Sequence, residues 1–287
     1  MTEYQRLHLL RDRLAGRPTD DTVHPGTPEW LLPCLKEWMT AHVGQREARE
    51  VTLEFRLAPH TVRGRYDYLS PLLSLRDLDL LTAIDAAIQL DRRWNAPPGT
   101  PANESLIESC VELGRILLRG GSYLRFDPEN RCLMRRVDET AQLAYDQACE
   151  NASDAASKHL RKAWHSAYRT NPDPDGAYAE AVLAVEAVLN PLVHPTAEKP
   201  TLSKSYKALQ QQAASGKWTL NFGDPERPAK ESIDKLIGMC QLLMEHHDSR
   251  HAGGMLARQQ TQDEAEAAVH LAVLLVQWLS TGVLKRG

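Results

Sequence analysis

Hydrophobic positions recur every three or four residues along most of this chain, so helices are the dominant expectation. In "WLLPCLKEWMTAH", Trp30, Leu31, Leu35, Trp38 and Met39 share one helical face. Thr27-Pro28-Glu29 ahead of it supplies a cap and a proline for the first turn, and Pro33 bends or restarts the helix. The period then changes. In "VTLEFRLAP", Val51, Leu53, Phe55 and Leu57 alternate with polar residues, which predicts a half-buried strand. Helical spacing returns in "LRDLDLLTAIDAAIQLDRRW", breaks at "PPGTPANE" and resumes in "ESLIESCVELGRILLRG". Finally, "GGSYLRF" and "RCLMRRV" flank Asp127-Pro128-Glu129-Asn130, turn-forming residues between two β-prone runs, and predict a hairpin.

From "VDETAQLAYDQACENASDAASKHLRKAWHSAY" onward the pattern is helical and no strand is expected. Asp173-Pro174-Asp175-Gly176 separates two helices and suits a helix start. In "AYAEAVLAVEAVLNPLV", Tyr178, Val182, Val185, Leu189 and Leu192 form the apolar stripe, with Glu186 at its edge. A helix from Ala229 buries Ile233, Leu236, Ile237, Cys240, Leu243 and Met244 on one face. The last helix opens on Thr261-x-x-Glu264, a capping-box pattern, and "AEAAVHLAVLLVQWLS" is apolar nearly all round. Such a helix needs a bundle or a partner subunit to cover it. The expected fold class is mainly α: a mixed N-terminal domain over 1–147 with a small antiparallel sheet, then an all-α bundle over 148–287.

Composition narrows the function classes. Of 287 residues, 42% are hydrophobic and 25% charged, enough apolar material for two soluble domains. The formal net charge is -4, which supplies no global basic field for nucleic acid, so any RNA or DNA contact must be local. Five scattered cysteines without a CxxC pair suit a reducing cytoplasm rather than a disulfide framework or zinc knuckle. The N-terminal run "MTEYQRLHLLRDRLAG" is interrupted by Arg6, Arg11, Asp12 and Arg13, so no signal peptide or membrane span is expected there, and the location expected is cytoplasmic. No P-loop, GxGxxG, GxSxG or HExxH motif occurs. No cofactor and no resident metal are expected.

One stretch stands out chemically. "HHDSRHAGG" begins at His246, at the end of the helix that starts at Ala229, and the apolar series from Ile233 runs on into His247, Arg250 and His251 before Gly253 and Gly254 end it. A bland explanation is that imidazoles and a guanidinium suit the negative end of a helix dipole. The sharper one is an inward-facing polar cluster. A divalent-metal site from His246, His247, Asp248 and His251 is less favoured, because consecutive histidines on a helix point apart. Lys158, Arg161, Lys162 and His165 recur at three and four residues as a local basic face. Trp164, Trp218 and Trp278 read as core anchors before base-stacking platforms.

The ordered run "HLRKAWHSAYRTNPDPDGAYAEAVLAVEAVLNPLVHP", "TLSKSYKAL", "KWTL", "RHAGG" and "DEAEAAVHLAVLLVQWL" resembles the abortive-infection (Abi) C-terminal and HEPN-like helical domains of prophage and actinobacterial proteins. The resemblance covers about the second half of the chain. It implies a HEPN-like bundle that dimerises through its C-terminal helices, in a phage-defence protein with possible metal-independent ribonuclease activity. It also implies roles: Arg250 binds the scissile phosphate, His251 or His247 moves protons, and Glu186 orients them. Catalytic members separate their arginine and histidine, whereas Arg250 and His251 are adjacent and diverge by about 100° on a helix. His247 and Arg250 do share a face. The alternative is a noncatalytic scaffold that binds a phage or host protein, and a weaker third reading is a sensor of small anions or nucleotides.

Overall fold

The computed structural model describes residues 7–19, 22–195, 200–213, 215–221, 229–245 and 259–286. The described residues are mainly helical, with twelve α-helices and small two-stranded antiparallel sheets, as the hydrophobic periodicity predicts. Two compact units, Met1–Arg136 and Val137–Gly287, divide the chain. The division falls ahead of helix α7 (Glu139–Asn151), which a boundary at 147/148 would cut.

The first unit contains α1 (Leu10–Leu14), α2 (Leu32–His42), α3 (Gln45–Glu54), the hairpin β1 (His60–Val62) and β2 (Arg65–Asp67), α4 (Leu69–Leu73), α5 (Asp77–Leu90) and α6 (Pro101–Arg119). A second hairpin follows, β3 (Leu124–Asp127) and β4 (Cys132–Arg135), in the predicted place, with Leu124 opposite Arg135 and Asp127 opposite Cys132. Leu31, Leu35, Trp38 and Met39 of the α2 stripe are buried against Ile84, Leu106 and Leu113, and the Trp38 indole donates to the Ser109 carbonyl at 2.8 Å.

Several expectations are corrected here. "VTLEFRLAP" is no strand: α3 runs to Glu54 and buries Ala48, Val51 and Thr52, which lie at helical spacing, while Leu53 is exposed. The alternation from Val51 to Leu57 coincides with the end of that helix. Arg56 takes a left-handed φ of 53°, and the Leu57 N–H bonds the Thr52 carbonyl at 2.9 Å, closing a Schellman motif with arginine where glycine is usual. Helix α2 starts at Leu32 with Pro33 in its first turn, so Pro33 neither bends nor interrupts it. Thr27 serves another helix. Its hydroxyl accepts from the Asp77 N–H at 2.8 Å and its own N–H donates to Asp77 Oδ1 at 3.2 Å, at the start of α5. Trp30 lies outside the buried stripe, exposed.

In the second unit, α7 is followed by α8 (Asp154–Tyr168), α9 (Pro174–Val193), α10 (Leu202–Ala213), β5 (Trp218–Leu220), α11 (Ala229–Glu245), α12 (Gln262–Ser280) and β6 (Leu284–Arg286). Helix α9 packs against α8, α10 and α12, and α12 is further covered by α7 and α11. By length and hydropathy α9 is a candidate membrane span. Its Tyr178, Val182, Val185 and Leu189 are buried inside the unit, as the stripe predicts for a core helix. The α11 face is buried throughout as read: Ile233, Leu236, Ile237, Cys240, Leu243 and Met244. The capping box of α12 forms in both directions, Thr261 N–H to Glu264 at 2.9 Å and Glu264 N–H to the Thr261 hydroxyl at 3.3 Å. The unit is not wholly helical, however: β5 pairs antiparallel with β6, Leu220 opposite Leu284. Three-residue strands carry too little alternation to register in the sequence.

Candidate functional site

Helix α9 organises the candidate site. Asp173 caps it by accepting from the Gly176 N–H at 2.9 Å, and Pro174 occupies a first-turn position that has no use for an N–H. Two side chains of its N-terminal end then reach neighbouring elements. The Tyr178 hydroxyl donates to the Leu243 carbonyl in the last turn of α11 at 2.8 Å, and Asp175 Oδ1 accepts from the buried Gln260 N–H at 3.0 Å. Asp175 and Tyr178 are three residues apart, about one turn. The residues on either side of the 246–258 stretch are therefore both tied to the same end of α9. His247, Arg250 and His251, with His246 and Asp248, lie outside the described residues.

Glu186 is described and half-buried, about 12 Å further along α9 than Tyr178. Its Oε1 accepts the Leu202 N–H, at the first residue of α10, at 2.7 Å. Asn190, one turn on, donates to the Pro200 carbonyl at 2.7 Å and accepts from the buried Ser205 hydroxyl at 2.6 Å. The two side chains together hold the entry to α10. The edge-of-stripe position that drew attention to Glu186 thus has a local explanation: a carboxylate satisfying an orphan donor at a helix start.

Burial raises the Glu186 pKa above its ordinary value, and the Leu202 N–H and the nearby His159 offset this only in part. A raised folded-state carboxyl pKa means that the native chain binds more protons than the unfolded one just above pH 4.5, so this group's contribution makes stability fall as pH rises through that window. We expect Glu186→Gln, which keeps an acceptor for Leu202 and cannot ionise, to be neutral or stabilising at pH 7 and to flatten that slope. Glu186→Ala should cost about 1–2 kcal/mol, since it leaves the Leu202 N–H without its acceptor. Urea unfolding at pH 5 and pH 7 checks both; equal losses for the two variants would contradict the assignment.

The neighbouring helix supplies a second polar clamp. His159 Nδ1 and Glu180 Oε2 are 2.6 Å apart, and Lys162 reaches Glu180 Oε1 at 3.4 Å, so Lys162 of the expected basic face is paired with a carboxylate of α9. Two of the three tryptophans are core anchors: Trp164 and Trp218 are buried, and Trp278 is half-buried. One arrangement escaped the sequence reading. Tyr168 of α8 is buried and its hydroxyl lies 2.8 Å from His270 Nε2 of α12, while Trp164 stacks on Tyr145 with ring centroids 4.3 Å apart. The available signal was a lone histidine inside "AEAAVHLAVLLVQWLS", which by itself names no partner.

Cysteine chemistry has little support at this site. Burial pushes the Cys240 thiol up to about 12 and Cys110 in the first unit up to about 11, and raises Cys149 as well. Cys132 is buried too, and only Cys34 is exposed. The native protein should therefore show one fast-reacting thiol toward an aromatic disulfide reagent and all five after denaturation; two or more fast native thiols would contradict the described burial. Comparison of the chain with protein-family models, with curated proteins and with solved structures finds no match to any of them.

Proposed function

We propose that the chain is an intracellular phage-defence protein whose second unit is a HEPN-like, dimerising bundle that cleaves RNA without a metal. The observation that carries this reading is the tethering of both flanks of the histidine- and arginine-rich stretch to the N-terminal end of α9. His247, Arg250 and His251 lie in the sequence between these two tethered flanks. In the proposed chemistry a ribose 2′-hydroxyl attacks the adjacent phosphorus. His247 or His251 accepts its proton, the other histidine protonates the departing 5′ oxygen, and Arg250 neutralises the phosphate.

Glu186 enters this scheme as a positioning residue for α10 through Leu202. The test is incubation of the full chain with total RNA in EDTA, beside Arg250→Ala, His251→Ala and His247→Ala. Cleavage that Arg250→Ala and His251→Ala both abolish, with unchanged melting temperatures, supports the reading; equal inactivity of wild type and variants sinks it. One observation favours a noncatalytic scaffold instead: Glu186, Asn190 and Tyr178 all spend their polar groups on holding helices together. On that reading Arg250→Ala lowers stability or dimer affinity and removes no activity.

A further inference from the structure

The β1–β2 hairpin of the first unit contributes almost nothing to the core. His60, Thr61, Val62, Arg63, Gly64, Arg65 and Tyr66 are all exposed, Tyr66 to 67%. A two-stranded ribbon with both faces in water is marginal unless something holds it. Here the base is held. Asp67 accepts from the Ser70 hydroxyl, from Gln45 Nε2 at 3.0 Å and from the Leu69 N–H at 3.0 Å, and Gln45 in turn accepts the Tyr68 N–H at 2.9 Å. Hydrogen bonds from Ser70 and Gln45 lower the Asp67 pKa to about 2. The ribbon is thus pinned at one end and free at the other.

Its chemistry is one-sided. The twelve residues 55–66, "FRLAPHTVRGRY", hold three arginines, one histidine and no acid, in a chain of net charge -4. Among the described residues, Arg56, His60, Arg63 and Arg65 make no ion pair. The turn adds an independent clue. Val62 pairs with Arg65 across Arg63-Gly64, and both central residues have positive φ, 51° and 77°, as a type I′ turn requires. Asparagine or glycine takes the first of these positions at little cost, whereas arginine is strained there. The turn therefore places Arg63 at the tip of an exposed basic ribbon.

We infer that the β1–β2 hairpin is a nucleic-acid-binding arm. Arg63 and Arg65 contact backbone phosphates, Arg56 and His60 extend the positive edge, and Tyr66 offers its ring to an unstacked base. A two-stranded ribbon also has the width to enter a duplex major groove. The shared ligand chemistry is the phosphodiester backbone, and this satisfies the requirement that any nucleic-acid contact by this acidic chain be local. The inference does not rest on the proposed cleavage, since every residue in it belongs to the first unit.

The test is fluorescence anisotropy with the full-length wild-type protein and probes that lack the 2′-hydroxyl, so that the proposed cleavage cannot consume them. The probes are a labelled 20-nucleotide single-stranded 2′-O-methyl RNA and a 20-base-pair DNA duplex, each titrated at several salt concentrations, with polyglutamate as competitor. Adding Arg63→Ala and Arg65→Ala should weaken binding to at least one probe roughly tenfold or more and flatten its log K against log salt slope by about 1–2. Tyr66→Ala should weaken single-stranded RNA more than duplex. The melting temperature should not move, because these side chains bury nothing. No binding of either probe by the wild-type protein, or affinity and slope unchanged in the hairpin variants, overturns the inference. Competition by polyglutamate as strong as by RNA also overturns it, by pointing to an acidic peptide instead.

Discussion

Replacing Trp164 with alanine should destabilise the second unit by about 3–5 kcal/mol, the usual cost of emptying a tryptophan-sized space in a packed interior. The ring is 2% exposed, stacks on Tyr145 at 4.3 Å, and meets Tyr168 at 4.7 Å and the His270 edge at 5.7 Å. Its removal strips the partner from a stacked pair and opens a cavity where α7, α8 and α12 meet. The loss also reaches the Tyr168–His270 hydrogen bond, which depends on the same wall. Trp164→Phe should cost clearly less, because it keeps most of the ring and deletes a buried indole N–H that has no described partner. Urea unfolding followed by near-ultraviolet circular dichroism measures both. A Trp164→Ala loss below about 1 kcal/mol would contradict a close-packed second unit.

The second large effect belongs to the first unit. Asp85 is a buried acidic residue on α5, and its Oδ1 accepts the Leu133 N–H of β4 while Oδ2 accepts from Gln89 at 2.7 Å. Asp85→Ala should cost about 2–3 kcal/mol, because it leaves the buried Leu133 N–H without its acceptor. Asp85→Asn retains an oxygen for that N–H and should recover part of the loss. Hydrogen exchange at Leu133 is the most specific readout: a large acceleration in the alanine variant is expected, and unchanged protection would show that the carboxylate does not hold the hairpin.

These two residues mark what the sequence made legible and what it did not. Trp164 was legible as a core anchor from its residue type, and the α11 face and the α12 capping box were readable because they require only neighbours along the chain. Asp85 bonds a residue 48 positions away, and no local pattern announces such a pair. The false strand at Val51–Leu57 shows the limit of short windows: period-two alternation over seven residues is also what a helix end followed by a turn displays. The β1–β2 hairpin was missed for the opposite reason. Its turn is Arg-Gly rather than Asn-Gly, and neither strand has a buried face to alternate.

For the candidate site, Glu186 was conspicuous as a charge at the edge of an apolar stripe, which signals that a partner exists without saying which. The partner described is a backbone N–H at the start of α10. Tyr178 was read as stripe, and its hydroxyl bond to Leu243 depends on the tertiary arrangement. The tie between Asp175 and Gln260 spans 85 positions and could not be anticipated from "DPDG".

The central proposal, RNA cleavage without a metal through attack by the 2′-hydroxyl, is tested most directly by the ends left on a labelled RNA after incubation with the full chain in EDTA. The account predicts 5′-hydroxyl and 2′,3′-cyclic phosphate termini, absent with Arg250→Ala. Uncut RNA, or fragments carrying 5′-phosphate and 3′-hydroxyl ends, would contradict it.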